Sequence, residues 1–353
     1  MASSTDSSLT PAVDWVDGRL VIIDQTALPT SLELLALTTT DQVVDAIYRL
    51  AVRGAPAIGV CGAYGMVVGF DEARPTDLDA ARSAIDALTH RIGTARPTAV
   101  NLAWAVDRVR TATLGATTVE SIRATALAEA QAIQAEDIAS CDAIGRHGAD
   151  ELVDRHRILT HCNTGRLATA GRGTALGVVY TKAERGHPVE VYACETRPLL
   201  QGARLTAWEL VDAGLPATLL SDGAGAALLG TGGIDAVITG ADRIAANGDS
   251  ANKIGTRAHA IAAHYEGVPF YIAAPLSTFD PALPSGTDIE IEFRADDEVR
   301  RFRSEQSAPS GIATWNAAFD VTPAELITGI ITEVGVLRSP FVDSIAAAFA
   351  AKG

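Results

Sequence analysis

Lysine is nearly missing from this chain. Of its 353 residues only Lys182, Lys253 and Lys352 are lysines, and the remainder of its 28 basic residues are arginines, a bias of the kind a GC-rich genome imposes. Positive charge as a whole is scarce: 43 acidic residues face those 28, leaving a formal net charge of -15. Such a field repels nucleic acid and anionic membranes at long range, so any phosphate site must be local. Cysteine is sparse too. Cys61, Cys141, Cys162 and Cys194 stand far apart, with no CxxC pair and no His/Cys cluster at zinc spacing, which argues against disulfides and structural zinc. Cys61 and Cys141 are expected to be small buried hydrophobes. No uncharged apolar run reaches the 18 or so residues of a membrane span, and the opening MASSTDSSLT lacks the basic and apolar segments of a secretory signal. A soluble, cytoplasmic protein is expected, with neither nucleic acid nor membrane as partner.

At this length one large or two unequal domains are expected, and the hydrophobic fraction of 48% is ordinary for a globular chain. Residues 13 to 37 alternate in short runs that suggest a small antiparallel unit. DQVVDAIYRL then opens a helical stretch that stops at Arg53-Gly54-Ala55-Pro56. A second helix, AIGVCGAYGMVVGF, carries Gly59, Gly62, Ala63 and Gly65 for close packing, and further helices are expected at 76 to 92, 98 to 113 and 117 to 148. From about residue 156 short β-rich runs alternate with helices, which implies βαβ units and a parallel sheet covered on both faces. The expected fold is α/β, with a smaller, mostly helical N-terminal domain carrying a short antiparallel sheet over residues 1–120. A doubly wound, Rossmann-like domain follows over residues 121–353, joined through the helix at about 117–148.

Chemistry concentrates at strand ends. The apolar RILT runs into His161, Cys162, Asn163, Thr164 and Gly165, a turn that presents backbone N–H groups to a thiol. Cys162 is thereby a base, a nucleophile, a polar stabiliser, or a buried structural cysteine beside a tight turn. The apolar AVIT delivers Asp242, which suits a helix cap, a ribose ligand or an acid–base group. Asn252 and Lys253 follow in NGDSANKIGT, where a helix beginning near Lys253 would attract phosphate. In open α/β sheets ligands bind at the carboxyl ends of strands, so these two groups can face one substrate.

Other positions are weaker alone. Arg53, with the Gly54 and Ala55 amides, precedes a helix start and is an anion clamp or a surface arginine. Arg96, before Pro97 and Thr98, is a phosphate ligand or a solvated helix-end residue. In YACETRPLLQGARLT, Glu195 and Arg197 suit a surface pair, while Gln201 suits a neutral hydrogen-bond donor to a sugar or phosphate oxygen. GRGTALG at 171 to 177 only weakly imitates the dinucleotide fingerprint. No metal site or dinucleotide site is read from the sequence, and catalysis without a cofactor is expected.

Taken together and in order, RGAPAIG at 53 to 59, RPTAVNL at 96 to 102, HCNTG at 161 to 165, ETRPLLQGARLTAWEL at 195 to 210 and GADRIAANGDSANKIGT at 240 to 256 resemble the methylthioribose-1-phosphate isomerases. The similarity runs from about residue 19 to WNAAFDVTPAELITGIITEVGVL at 315 to 337. The wider superfamily includes ribose-1,5-bisphosphate isomerase and regulatory subunits of the eukaryotic initiation-factor exchange complex. The resemblance implies a homodimer with its site in a cleft between domains, and a small sugar phosphate as substrate. By motif it places Cys162 and Asp242 at catalytic positions and Arg53, Gly54, Ala55, Arg96, Gln201, Asn252 and Lys253 at substrate-binding ones. The implied reaction turns 5-methylthioribose 1-phosphate into its ketose, a step of methionine salvage. A 5-deoxyribose 1-phosphate or ribose 1,5-bisphosphate isomerase is one alternative, and a non-catalytic, nucleotide-sensing regulatory subunit is another.

Three departures from the family pattern stand out. Arg166 replaces a small residue, Arg172 stands near a usual aromatic, and an Asp-Asn-Met-Ala-Ala stretch becomes Ser221-Asp222-Gly223-Ala224-Gly225. If that last stretch lines the pocket, the substitutions enlarge or polarise the space around the sugar.

Overall fold

The computed structural model describes residues 10–96 and 100–352; the first nine residues, and Pro97, Thr98 and Ala99 of the RPTAVNL motif, lie outside them. The chain opens with strands β1 (Val13–Val16), β2 (Arg19–Ile23) and β3 (Leu34–Leu37), paired antiparallel in that order. Helix α1 (Thr40–Tyr48) starts where the Thr39 hydroxyl and the Gln42 side chain cap each other's backbone. It is followed by α2 (Ala55–Ala73), α3 (Leu78–Gly93), α4 (Val100–Thr113) and α5 (Val119–Glu151). The Asp77 and Thr118 side chains cap α3 and α5, each taking one of the N–H groups a helix start leaves open.

Helix α2 is apolar all round and therefore lies inside the bundle, buried continuously from Ala57 to Phe70. Full burial of a side chain such as Ile58 or Met66 contributes about 2 kcal/mol. The small residues read from the sequence set the distances. A Cβ on Gly62 would come within 2.4 Å of Leu102 Cδ1 on α4, so any larger residue there must push the Leu102 side chain aside.

After α5 the chain alternates strand and helix. The elements are β4 (Arg157–Thr160), α6 (Ala175–Glu184), β5 (Glu190–Cys194), α7 (Ala207–Asp212), β6 (Ala217–Leu220), α8 (Asp222–Gly230) and β7 (Ala236–Thr239). Then come β8 (Arg243–Ala245), β9 (Ser250–Lys253), α9 (Thr256–Tyr265), β10 (Phe270–Ala273) and β11 (Phe279–Asp280). The chain closes with α10 (Asp297–Arg300), β12 (Arg301–Phe302), β13 (Glu305–Gln306), β14 (Phe319–Thr322), β15 (Gly329–Thr332), β16 (Gly335–Leu337) and α11 (Phe341–Lys352). Seven strands form the main sheet in the order β16-β15-β10-β7-β4-β5-β6, parallel except for β16.

The two faces of that sheet can be read residue by residue. Ile158, Val191, Ala193, Ala236, Ile238, Tyr271 and Ala273 join one core with Ile144 of α5, Leu176 of α6 and Leu210 of α7. Their alternating neighbours Leu159, Cys194, Val237, Phe270 and Ile272 join another with Leu229 of α8, Ala260 of α9 and Ile345 of α11. Period-two alternation with both sets apolar is the pattern of a sheet wound on both sides, which is the α/β fold expected. Cys61 and Cys141 are buried as expected. Among the described residues no helix is long and apolar enough to cross a membrane.

The sequence reading is corrected at two places. The helix after Lys253 begins at Thr256, and Asn252 and Lys253 lie on β9 in a small sheet of order β11-β8-β9-β14. Polar SANK does not read as a strand because its burial comes from cross-strand partners. Ser221 to Gly225 is the start of α8 rather than a loop. Before α7, Gly202–Thr206 forms a π-turn.

Candidate active site

The carboxyl ends of β4, β5 and β7 face the N-terminus of α2 across a cleft. Cys162 follows β4 and adopts φ 65°, a left-handed backbone that a non-glycine residue holds only when its surroundings impose it. Here they do. The Cys162 N–H donates to Thr196 Oγ1 at 2.9 Å, and the Thr206 hydroxyl donates to the Cys162 carbonyl at 2.6 Å. Thr196 follows β5 and is itself at φ 65°, while Thr206 ends the π-turn. The distortion of that turn is thereby accounted for, since it places a hydroxyl under the thiol-bearing residue.

Arg53 reaches the same point from the other wall. Its Nη1 lies 3.8 Å from Cys162 Sγ, and its Nη2 donates to Asn163 O at 2.9 Å and Asn163 Oδ1 at 2.8 Å. Asn163 is oriented in turn by Glu209, which accepts its Nδ2 at 2.7 Å. Glu209 also takes the Arg166 N–H at 2.8 Å and the Tyr180 hydroxyl at 3.1 Å. Burial pushes the Glu209 carboxyl up, offset by the Asn163 amide, Arg166 and two backbone N–H groups. Glu209, Thr196 and Thr206 escape a reading of the sequence because only folding carries α7 and the π-turn beneath β4.

On the third wall stand Asp242, Asn252 and Lys253. The Asp242 N–H bonds Ala251 O at 2.9 Å, which fixes the residue, while its carboxylate makes no hydrogen bond among the described residues. Burial raises the Asp242 carboxyl above its ordinary range, against the pull of Lys253, Arg96 and Arg53. Lys253 donates to Ala318 O at 2.8 Å and its ammonium lies 4.4 Å from the Phe319 ring centre. Burial lowers its pKa, opposed by Cys162 and Asp242. Arg96 pairs with Glu292 at 3.4 Å. Gln201 is buried, with its Oε1 lacking a hydrogen-bond partner.

All nine residues singled out in the sequence line this one cleft: Arg53, Gly54, Ala55, Arg96, Cys162, Gln201, Asp242, Asn252 and Lys253. So do Arg294 and Phe319, neither of which is singled out in the sequence. Helix α2 points its start into the space with no side-chain cap, and Gly54, at φ 90°, lies where a Cβ would meet Ala168 O at 2.4 Å. That open start is an anion seat. The start of α9 is not: the Asp320 carboxylate accepts the Gly255 and Arg257 N–H groups at 2.7 and 3.0 Å.

Arg166 and Arg172 lie outside the cleft lining: Arg166 pairs with Asp212 at 2.6 Å and Arg172 with Glu184 at 2.6 Å. Two expectations fail. Ser221 to Gly225 does not line the cleft either, because Asp222 is turned to the Thr196 and Arg197 N–H groups, 2.7 Å each. Arg197 donates to Val299 O and Arg301 O, both at 3.0 Å, instead of pairing with Glu195.

A two-faced parallel sheet with a thiol, a carboxyl and several cations converging at its strand ends is the architecture of an α/β enzyme. The chain belongs to the initiation factor 2 subunit family, whose model matches residues 51–339. A methylthioribose-1-phosphate isomerase from Desulforamulus reducens is 48% identical over 337 residues, 95% of this chain and 97% of that one. A 5-deoxyribose 1-phosphate isomerase from Moorella thermoacetica is 49% identical over 336 residues, 95% and 96% of the two chains. Among solved structures, the 5-methylthioribose 1-phosphate isomerase from Pyrococcus horikoshii superposes with a TM-score of 0.90 at 37% identity, covering 98% of this chain and 97% of that one. The translation initiation factor eIF-2B delta subunit from A. fulgidus gives 0.87 at 40% identity, covering 95% and 99%. The resemblance read from the five motifs is borne out.

Proposed function

We propose that this chain is an aldose–ketose isomerase that converts 5-methylthioribose 1-phosphate into 5-methylthioribulose 1-phosphate. The carrying observation is Cys162 and Asp242 standing in one cleft with Arg53, Lys253 and an uncapped helix start. We further read it as a cytoplasmic homodimer acting in methionine salvage, with its division between residues 120 and 121.

The phosphate on the anomeric oxygen prevents ordinary ring opening, so the protein must assist it. Asp242, kept protonated by burial, donates its proton to the ring oxygen as the bond from C1 to that oxygen breaks. Hydrogen then moves from C2 to C1, and the C2 hydroxyl gives up its proton as the carbonyl forms. That proton restores Asp242, so the net change is an isomerisation. Cys162 either carries the C2 hydrogen as a proton and returns it, or stabilises charge while a hydride passes directly. Arg53, Arg96, Lys253 and the α2 amides hold the phosphate and turn remote binding energy toward the reacting carbons.

A 5-deoxyribose 1-phosphate substrate is the second reading, favoured by the 49% identical relative of that name. The test is phosphorus and proton NMR of purified protein with 5-methylthioribose 1-phosphate, 5-deoxyribose 1-phosphate and ribose 1,5-bisphosphate in parallel. Conversion of the first or second to its ketose 1-phosphate establishes the reaction and ranks the substrates. No conversion by folded protein refutes it in favour of a binding role. Deuterium at C2 retained in the product signals direct hydride passage, and its exchange with solvent signals proton transfer through Cys162.

A further inference from the structure

Beside the cleft, beginning one residue before Cys162, lies a second group of chemically capable side chains that the isomerase mechanism does not use. His161, Cys194 and His259 are 1%, 0% and 3% exposed, and one donor atom of each lies within 4.8 Å of the other two. They come from three elements: His161 follows β4, Cys194 ends β5 and His259 sits on α9. A fourth donor is close, since Asp222 Oδ1, at the start of α8, is 3.9 Å from His161 Nδ1.

The hydrogen-bond ledger of this group does not close. Both ring nitrogens of His259 and Nδ1 of His161 are buried without a hydrogen-bond partner. Buried polar atoms are almost always paired, and three orphaned imidazole nitrogens beside one thiol need an explanation. The remaining nitrogen points to one. His161 Nε2 bonds Ile254 O at 2.8 Å, so the proton resides there and Nδ1 presents its lone pair to the cluster. A backbone carbonyl fixing the outer N–H of a histidine is the arrangement that accompanies metal-ligating imidazoles. Burial also holds the His259 imidazole down to about 4, leaving it neutral at physiological pH.

We propose that His161, His259 and Cys194, with Asp222 as the fourth donor, form a structural site for a divalent transition metal, zinc by donor type. Two imidazoles, a thiolate and a carboxylate are a borderline-soft set of the kind that zinc selects. At usual zinc bond lengths the donors stand roughly 3.3 to 3.8 Å apart, so small side-chain rotations close the present spacing onto an ion. Binding forms a bond from the ion to Sγ and releases the Cys194 thiol proton to solvent, with no change of oxidation state. Space is reserved for the ring. A Cβ on Gly225 would come within 2.9 Å of His259 Cε1 and 3.3 Å of Cys194 Sγ. The ion would tie β4, β5, α8 and α9 together one residue before Cys162 and, through Ile254, next to Lys253. The donors are far apart in sequence, which is why no zinc spacing is visible there.

The test uses the full chain, purified under reducing conditions, with metal content by mass spectrometry and cobalt(II) as the spectroscopic probe. Expected are one equivalent of zinc per chain and, on cobalt exchange, a near-ultraviolet thiolate-to-cobalt charge-transfer band with intense tetrahedral d–d bands. Cys194→Ala and His259→Leu should lose at least tenfold in cobalt affinity, and Cys194→Ala should lose the charge-transfer band, whereas Cys141→Ala keeps both. Folded wild-type protein that takes up neither zinc nor cobalt overturns the proposal without recourse to any variant. A charge-transfer band that survives in Cys194→Ala overturns it equally.

Discussion

The guanidinium of Arg53 touches both parts of the turn that carries the thiol: Nη1 sits 3.8 Å from Cys162 Sγ while Nη2 is shared between the carbonyl and side-chain oxygens of Asn163. A fork of fixed geometry does this, and an ammonium cannot. Arg53→Lys is expected to keep the charge but lose the simultaneous contacts, lowering kcat/KM about a hundredfold. Steady-state kinetics on the sugar phosphate check it. A variant within threefold of wild type would show that Arg53 acts only as a point charge.

Cys162 is held at a positive φ that costs an ordinary residue on the order of 1–3 kcal/mol. Glycine adopts that backbone without strain, so Cys162→Gly should be more stable than Cys162→Ala by about 1 kcal/mol. This reverses the usual order of the two residues. Both variants should be inactive. Urea denaturation midpoints decide the matter, and alanine more stable than glycine would remove strain from the account.

The raised pKa of Asp242 links its proposed role to stability. Burial raises its pKa above the ordinary carboxyl value despite Lys253, Arg96 and Arg53. A raised folded-state pKa gives stabilisation that is complete below the unfolded value and is lost as pH climbs through the folded one. Asp242→Asn cannot ionise and avoids that loss. Its melting temperature should therefore gain on wild type as pH rises across that window, while turnover falls at least a hundredfold. A difference in melting temperature independent of pH would contradict the burial argument.

Gly54→Ala tests the helix start. A Cβ there would press within 2.4 Å of Ala168 O at a φ of 90°, so the backbone that opens α2 toward the cleft must shift. We expect KM to rise tenfold or more and stability to fall by about 2 kcal/mol, measured by kinetics and urea titration. Unchanged KM would move the phosphate seat elsewhere.

Local chemistry is legible in the sequence and long-range assembly is not. The capping residues, the apolar runs of β4 and β7, and the Gly54-Ala55-Pro56 helix start are written in neighbouring residues, so the fold and the lining of the cleft can be anticipated from them. Lys253 reads as the start of a helix because the pairing of β9 with β14, which buries it against Phe319, depends on residues about seventy positions away. Arg294 has no motif to mark it for the same reason, and Glu209, although inside the quoted 195–210 stretch, carries no local sign of its bond to Asn163. The Ser221–Gly225 departure suggests a pocket wall by its family position, whereas the orientation of Asp222 is decided by the amides of Thr196 and Arg197.

Strand β4 gives Ile158 to one core and Leu159 to the other and is flanked by β5 and β7, so beyond Arg157 at its start neither its faces nor its edges meet water. Its amides should exchange with deuterium only when the whole sheet opens, among the slowest in the molecule. Cys162 thus hangs from the most persistent part of the chain, and any breathing of the cleft is left to the helix and loops on its opposite wall.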